Sequence, residues 1–164
     1  MRGILTFKDK TVYIHIMASK IDKKQLMSCA DCLCFNVRKA SRIITQIYDE
    51  HMSETGLRGT QFTIIVMITI NESLTINKLA EALVMDRTTL TRNLKPLEKQ
   101  GLIEIFPGVD RRTRAVRLTP LGFKTLKKAL PLWQQAQDLV NKKLGQQRFD
   151  HLLKELRAVK KLIE

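Results

Sequence analysis

The chain has 164 residues, enough for one compact domain of ordinary size. Its 29 basic and 16 acidic residues leave a formal charge of +13, which favours nucleic acid or another anionic surface as a partner. No apolar run is long enough to span a membrane, and the 3 cysteines lie too close together for a secreted disulfide framework. We therefore expect a cytoplasmic protein with no membrane partner.

Residues 1–27 differ from the rest of the chain and are predicted to be an N-terminal extension. Residues 11–18 have strand character, and a polar stretch follows them. No small-residue cleavage site follows the short apolar alternation, so the segment does not resemble a secretory signal. Met17 and Met27 could each initiate the chain, so the extension is either a start placed too far upstream or a functional arm.

A helix is predicted over residues 28–55. Ser28 is a candidate cap, with Asp31 three residues on as a variant of the capping box. Gly56 is expected to end the segment. Apolar residues recur at alternating spacings of four and three, the heptad pattern of a helix that packs against another helix. They are Leu33, Val37, Ala40, Ile44 and Ile47.

The next run, residues 61–70, has the sequence QFTIIVMITI. Its β-branched residues favour a strand by propensity, whereas its apolar character on every side also fits a buried helix. The residues alone leave both interpretations open.

Two short helices are predicted between Thr75 and Lys99. The first has an apolar face formed by Leu79, Ala80 and Leu83, and a turn follows at Val84. Asp86 suits the N-cap of the second helix, because its carboxylate can accept hydrogen bonds from the free amides of the first turn. The second helix carries Leu90, Leu94 and Leu97 on one face.

The opposite face of this second helix is cationic and hydroxylic, with no acid on it. It presents Thr88, Arg92, Lys95 and Lys99, with Thr89 and Thr91 on its flanks. Such groups bind phosphates and base edges, so the face is predicted to enter a DNA groove. Pro96 lies inside the helix and lacks a backbone N–H, which predicts a kink.

A β-hairpin is predicted after the second helix. The β-prone runs are residues 103–106 and 114–118, and Pro107-Gly108 between them signals a turn. Arginines lie at or beside the hairpin tip, namely Arg111, Arg112 and Arg114. An arginine-bearing hairpin directly after a helix-turn-helix is typical of a wing that contacts DNA backbone and minor groove.

Two further helices are predicted after the hairpin. Thr119 can cap the first, with Pro120 at its first helical position, and Gly145 ends it. The last segment carries a second heptad stripe, formed by Leu152, Leu156, Val159 and Ile163.

The segment LAEALVMDRTTLTRNLKPLEKQGLI and the wing motif D-x-R…L-T-x-x-G resemble those of the MarR family of winged-helix transcription regulators. The motif residues are Asp110, Arg112, Leu118, Thr119 and Gly122. The resemblance extends from about Cys29 to the C-terminus. It implies that Asp110 braces the wing, that Arg112 enters the minor groove, and that residues 61–70 form a helix. Pro96 departs from the family pattern.

The resemblance implies a mostly α-helical fold with a small β-wing. A winged helix-turn-helix core (residues 60–119) would be flanked by dimerisation helices (residues 28–55 and 120–164), within a family-like domain of residues 28–164. The partners would be double-stranded DNA, a second copy of the chain and a small-molecule or oxidant effector, and repression is the usual outcome in the family. The predicted DNA-binding residues are Arg87, Thr88, Thr89, Thr91, Arg92, Lys95, Lys99, Arg111, Arg112 and Arg114.

The cysteines Cys29, Cys32 and Cys34 are candidate redox sensors, because some MarR-like regulators sense peroxide through a cysteine in the first helix. The alternative is that they are small buried packing residues. If all three lie on one helix, Cys34 points about 200° away from Cys32. The three thiols could then not converge on a zinc ion, so no metal site is predicted.

No catalytic residues or cofactor are predicted, because the sequence lacks a nucleophile–histidine–acid set, a phosphate-binding glycine loop and a metal-spaced histidine cluster. The main hypothesis is an effector-responsive repressor that reads a pseudo-palindromic site. Two alternatives remain, an effector-independent architectural DNA-binding protein and a winged-helix protein-interaction module. The basic face argues against the second, since a docking helix more often exposes apolar anchors.

Overall fold

The structure, a computed structural model, describes residues 22–110 and 112–162. The predictions for residues 1–21, for Arg111 and for Ile163 lie outside the described residues. The chain forms two compact units, residues 1–43 and 44–164, with the division inside one helix.

The first unit contains helix α1 (Lys23–Ser28), a 3₁₀ turn (Cys29–Asp31) and the first part of helix α2 (Leu33–Met52). Asp22 caps α1 by accepting a hydrogen bond from the Lys24 backbone N–H at 2.9 Å. The prediction that Ser28 caps the next helix is wrong. Ser28 is the last residue of α1, and its hydroxyl donates back to the Gln25 carbonyl at 2.7 Å.

The second unit begins within α2, which is followed by a 3₁₀ turn (Ser53–Thr55) and then helix α3 (Gly59–Ile70). Gly56 ends the first segment with φ 70°, as predicted. The helical interpretation of residues 61–70 is confirmed. Burial on two adjacent faces outweighs the strand propensity of this run, because Ile64, Ile65 and Ile68 are all fully buried.

A small three-stranded sheet packs with two short helices. Strand β1 (Leu74–Thr75) leads into helix α4 (Ile76–Ala82) and helix α5 (Arg87–Lys99). Strands β2 (Ile103–Pro107) and β3 (Arg114–Leu118) form the hairpin, with Ile103 opposite Leu118 and Pro107 opposite Arg114. All pairs are antiparallel, in the order β1-β3-β2. Sequence reasoning missed β1, which has only two residues.

Two helices complete the chain, α6 (Pro120–Leu144) and α7 (Gln146–Ala158), and a 3₁₀ turn (Val159–Leu162) follows α7. Thr119 caps α6 by accepting a hydrogen bond from the Gly122 backbone N–H at 3.0 Å, as predicted. The predicted fold class, mostly α with a small β-wing, is confirmed. Within the described residues, no helix combines the length and the apolar character needed to cross a membrane.

One core connects the helix-turn-helix to the sheet and to α6. Its fully buried side chains come from the end of α2 and from α3, α4, α5 and β3, and Leu126 and Ala129 of α6 join them. Phe62 stacks on the half-buried Trp133 with ring centroids 6.1 Å apart. The helix-turn-helix, the hairpin and α6 therefore share one interior and are held as a unit.

The Leu102 carbonyl is the point where α5, the hairpin and α6 meet. It accepts a hydrogen bond from the Thr119 backbone N–H at 3.1 Å, directly before α6 begins. A Cβ added at Gly122 would lie 2.0 Å from the Leu102 carbonyl oxygen. Because a backbone oxygen cannot move aside cheaply, residue 122 has to be glycine.

We predict that Gly122→Ala destabilises the fold by about 1–3 kcal/mol, because the added methyl overpacks the Leu102 carbonyl. Helix propensity alone predicts the opposite effect, because alanine in a helix is more stable than glycine by about 1 kcal/mol. Urea denaturation followed by circular dichroism measures the difference. Lys124→Ala, an exposed position on the same helix, is the control and should change stability little. A Gly122→Ala protein at least as stable as wild type would contradict this account of the junction.

Candidate nucleic-acid interface

The turn between α4 and α5 closes α4 tightly and sets the direction of α5. The Met85 backbone N–H donates to the Ala80 carbonyl at 2.8 Å, and the Val84 N–H donates to the Glu81 carbonyl at 3.0 Å. This is the Schellman pattern of helix ends. Val84 occupies its left-handed position at φ 51°, an unusual place for a β-branched residue.

Asp86 begins α5 as predicted. One carboxylate oxygen accepts the Thr89 backbone N–H at 2.8 Å, and the other accepts the Thr89 hydroxyl at 2.5 Å. These two hydrogen bonds from Thr89 lower the pKa of the Asp86 carboxyl below its ordinary value. The cap is therefore ionised at neutral pH, which suits the positive end of the helix dipole.

Helix α5 buries one face and exposes the other. Leu90, Leu94 and Leu97 are fully buried, as the heptad-like spacing predicted. The helix continues through Pro96 to Lys99, and Gly101 closes it with φ 71°. The predicted kink at Pro96 stays a prediction.

The exposed face of α5 is strongly cationic. Its basic side chains are all exposed and form no ion pair within the described residues, namely Arg87, Arg92, Lys95 and Lys99. Thr88 is also exposed. At 100° per residue, one side of α5 carries Thr88, Arg92, Lys95 and Lys99, and we call this side the α5 face. Arg87 lies beside it at the start of the helix.

The threonines on α5 differ in a way that the sequence did not reveal. The Thr89 hydroxyl donates to Asp86, and the Thr91 hydroxyl donates to the Arg87 carbonyl at 2.7 Å. Only the Thr88 hydroxyl, of these three, makes no hydrogen bond within the described residues. The face is therefore less hydroxylic than predicted, since two hydroxyl protons are already donated within the protein.

The wing tip is a tight turn organised by Asp110. Its carboxylate accepts the Arg112 backbone N–H at 2.9 Å, and its carbonyl accepts the Thr113 N–H at 2.8 Å. Gly108 closes the hairpin by donating to the Thr113 carbonyl at 2.9 Å. The Arg112 side chain is exposed at this tip.

Two arginines on β3 have partners in the hairpin. Arg114 donates to the Ile105 carbonyl at 3.5 Å, a long contact. Arg117, which sequence reasoning missed, pairs with Glu104 at 2.9 Å and lies 4.9 Å from the centre of the Phe106 ring. Alternation along a strand could have placed Arg117 beside Glu104 on the outer face.

The cysteines do not lie on one continuous helix. Cys29 belongs to the 3₁₀ turn, Cys32 precedes α2 in an extended conformation, and Cys34 lies within α2. All three are free and exposed in the single chain. Within residues 22–110 and 112–162, no group of histidine, cysteine and acidic side chains is arranged to hold a metal ion.

Known proteins resemble the chain in both sequence and structure. A sequence model of the MarR family matches residues 55–113. The organic hydroperoxide resistance transcriptional regulator of Bacillus subtilis is 31% identical over 117 residues, which cover 71% of this chain and 78% of the relative.

Among solved structures, the Mycobacterium tuberculosis transcriptional regulator MosR, crystallised in complex with DNA, is 33% identical with a TM-score of 0.66. The match covers 78% of this chain and 98% of MosR. MarR of Escherichia coli in its apo form is 24% identical with a TM-score of 0.62, over 77% of this chain and 95% of MarR, and shows the shared fold alone.

These matches agree with the architecture of the described residues and with the sequence motifs. The prediction that the chain is not an enzyme is confirmed by these relatives, which are transcriptional regulators. The chain belongs to the MarR family of winged helix-turn-helix transcriptional regulators.

Proposed function

We propose that this regulator is a homodimer that binds double-stranded DNA sequence-specifically and acts as an effector-responsive repressor in the cytoplasm. The observation that carries the proposal is the cationic α5 face, whose basic side chains form no ion pair with any described residue, followed in the chain by an arginine-bearing wing. Cations without protein partners are available for phosphates, and each phosphate contact adds affinity by releasing a counterion.

The α5 face would lie in the major groove, with its N-terminal residues at the base edges. Arg92 would reach a guanine edge or a phosphate, while Lys95 and Lys99 would follow the backbone. The wing tip would place Arg112 near the adjacent minor groove, with Asp110 holding the turn that presents it. Arg114 would contact the backbone beside the tip. MosR, a similar chain that was crystallised with DNA, supports DNA binding as the function.

A second copy of the chain would cover apolar residues that one chain leaves exposed. On α7 and the turn after it, the exposed fractions of Leu152, Leu156 and Val159 are 39%, 45% and 46%. In the first unit, Leu33, Val37 and Ile43 are exposed as well. The alternative is that the C-terminal stripe packs within its own subunit, but the rest of the described chain leaves these three side chains partly exposed. A two-fold dimer would read half-sites about one helical turn apart.

An oxidant is the effector that the exposed cysteines support best. A thiolate attacks the peroxide, so that the O–O bond breaks, a sulfenic acid forms and an alcohol is released. One thiol then converts the sulfenic acid to a mixed disulfide with loss of water, and a second thiol reduces that disulfide to restore the cysteine. Cys29, Cys32 and Cys34 are free and accessible for this step. The similarity to a hydroperoxide resistance regulator supports the same effector class.

A small aromatic or amphipathic molecule is the alternative effector. A cavity of about 310 Å³ lies between the end of α2, the start of α3 and α6, with Tyr48, Gly59 and Trp133 in its lining. Burial raises the pKa of Tyr48, whose hydroxyl bonds to Gln137, so the phenol stays neutral there. A ligand in this cavity would contact both the α2 end and the DNA-reading core.

Two other functions remain as alternatives. An architectural protein would bind DNA without sequence preference or effector. A protein-interaction module would not bind DNA at all, and the unpaired cations of the α5 face argue against it.

We predict that Arg112→Ala weakens DNA binding and lowers the slope of log affinity against log salt by about one, through loss of one phosphate or groove contact. The fold should survive, because the side chain is exposed and alanine keeps the backbone N–H that Asp110 accepts. Fluorescence anisotropy at several salt concentrations measures both effects.

Arg117→Ala is the matched control, since it removes the same charge from the same hairpin. Its guanidinium is already engaged by Glu104 and Phe106, so the salt slope should change less. If Arg112→Ala binds as wild type does at every salt concentration, the wing does not contact DNA.

We predict that Leu156→Glu dissociates the dimer, because it buries an unpaired carboxylate in the proposed interface. Losing the second half-site should weaken operator binding by about 10²- to 10⁴-fold. Gln147→Glu adds the same charge on the opposite face of α7 and should stay dimeric. Sedimentation velocity distinguishes the two, and a Leu156→Glu dimer with full affinity would exclude this interface.

We predict that an organic hydroperoxide releases wild-type protein from DNA and that excess thiol restores binding. A variant with serine at positions 29, 32 and 34 should stay bound, since serine cannot form a sulfenic acid. Gel-shift assays with and without peroxide test this. A triple variant that responds as wild type does would assign the effector site elsewhere, for example to the cavity beside Trp133.

A further inference from the structure

The hydrogen bonds within α5 determine what its threonines can present to DNA. A threonine hydroxyl has one proton to donate and lone pairs that accept. Thr89 donates its proton to the Asp86 carboxylate, and Thr91 donates its proton to the Arg87 carbonyl. Neither hydroxyl can therefore donate to a base or a phosphate while these bonds persist.

The methyl group is the part of each of these two side chains that forms no hydrogen bond. It stays available for apolar contact while the hydroxyl on the same Cβ is engaged. At 100° per residue, Thr89 and Thr91 lie on opposite flanks of the line formed by Thr88 and Arg92. Thr89 is exposed and Thr91 is half-buried, so both residues are accessible at the border of the α5 face.

Only one base carries a methyl group in the major groove. Thymine presents its 5-methyl there, and apolar side-chain atoms, including a threonine methyl, recognise it by contact. The Thr88 hydroxyl, which has no partner within the described residues, stays available as a hydrogen-bond donor.

We propose that α5 reads thymine through the methyl groups of Thr89 and Thr91, while Thr88 supplies the single hydroxyl donor of the face. This inference rests on the proposed function, in which α5 enters a major groove. The inference specifies which base the flanks of the α5 face recognise, thymine, and which atoms recognise it, the threonine methyl groups. The hydrogen bonds within the helix thus divide the threonines into two kinds of specificity-determining residue. Thr89 and Thr91 would contact DNA through a methyl group, and Thr88 would contact it through its hydroxyl.

Deoxyuridine tests the inference directly, because it pairs and hydrogen-bonds as thymidine does but lacks the 5-methyl group. A duplex selected from a random pool by wild-type protein would be synthesised with thymine or with uracil throughout its half-sites. Burying one methyl against another corresponds to a change of about fourfold in affinity. Wild type should therefore bind the thymine duplex at least about fourfold more tightly.

The Thr89→Ser, Thr91→Ser double variant decides the matter. Serine keeps both hydroxyl hydrogen bonds and removes only the methyls, so the variant should bind the two duplexes with equal affinity. Thr125→Ser is the matched control, since the Thr125 hydroxyl makes the same type of bond, to the Leu121 carbonyl at 2.9 Å, on a helix outside the α5 face. It should keep the wild-type preference.

Thr88→Val tests the proposed role of the Thr88 hydroxyl as a donor. Unlike the double serine variant, it removes a hydroxyl and keeps methyl groups. It should weaken binding to both duplexes by the same factor. Melting temperatures of all variants, measured in parallel, check that the fold is unchanged.

The inference is overturned if wild type binds both duplexes equally, or if the double serine variant keeps the wild-type preference. Either result would leave the proposed function intact, provided that wild type selects a sequence at all. If the random pool yields no selected duplex, the proposed function itself fails.

Discussion

The contact between the Leu102 carbonyl and the start of α6 holds the two proposed DNA-binding elements, α5 and the wing, in one geometry. Leu102 follows α5 directly and leads into β2, and its carbonyl accepts the N–H of Thr119 at the end of β3. The Thr119 hydroxyl also donates to the Gly101 carbonyl at 2.6 Å. Because Gly122 has no side chain, α6 can approach this carbonyl closely. This contact thereby fixes α5, both strands of the hairpin and α6 at one point.

This constraint matters because the two proposed DNA contacts lie in different grooves. A helix in the major groove and a wing near the minor groove can bind together only if their spacing matches the duplex. Flexibility at the junction would add an entropic cost to each association. Any effector that repositions α6 relative to a partner subunit would move α5 and the wing together, and DNA affinity would then follow the populations of the two states.

The sequence predicted what depends on local chemistry. Asp86 and Thr119 were identified as caps because carboxylates and hydroxyls accept free amides, and Leu90, Leu94 and Leu97 were identified as core by spacing. Features that depend on tertiary context were not predicted from residues alone. Residues 61–70 could be assigned to a helix only through the family, and β1 exists because β3 pairs with it.

The hydrogen-bond partners and the exposure of individual side chains could not be predicted from the sequence either. The pattern showed threonines on α5 but not which of their hydroxyls are already hydrogen-bonded. The exposure of the cysteines was likewise unpredictable, because the assumption of one continuous helix fails at Cys32. Arg117 was missed because its role depends on the register that places it opposite Glu104.

The most direct test of the central claim compares two affinities of the wild-type protein at one salt concentration. One duplex carries the region upstream of its own gene, and the other is a random sequence of equal length. A sequence-specific regulator with an operator there should bind the first at least about a thousandfold more tightly, and a footprint should show two half-sites about one helical turn apart. A ratio near one, with no defined footprint, would contradict sequence-specific regulation at this site and favour an architectural protein.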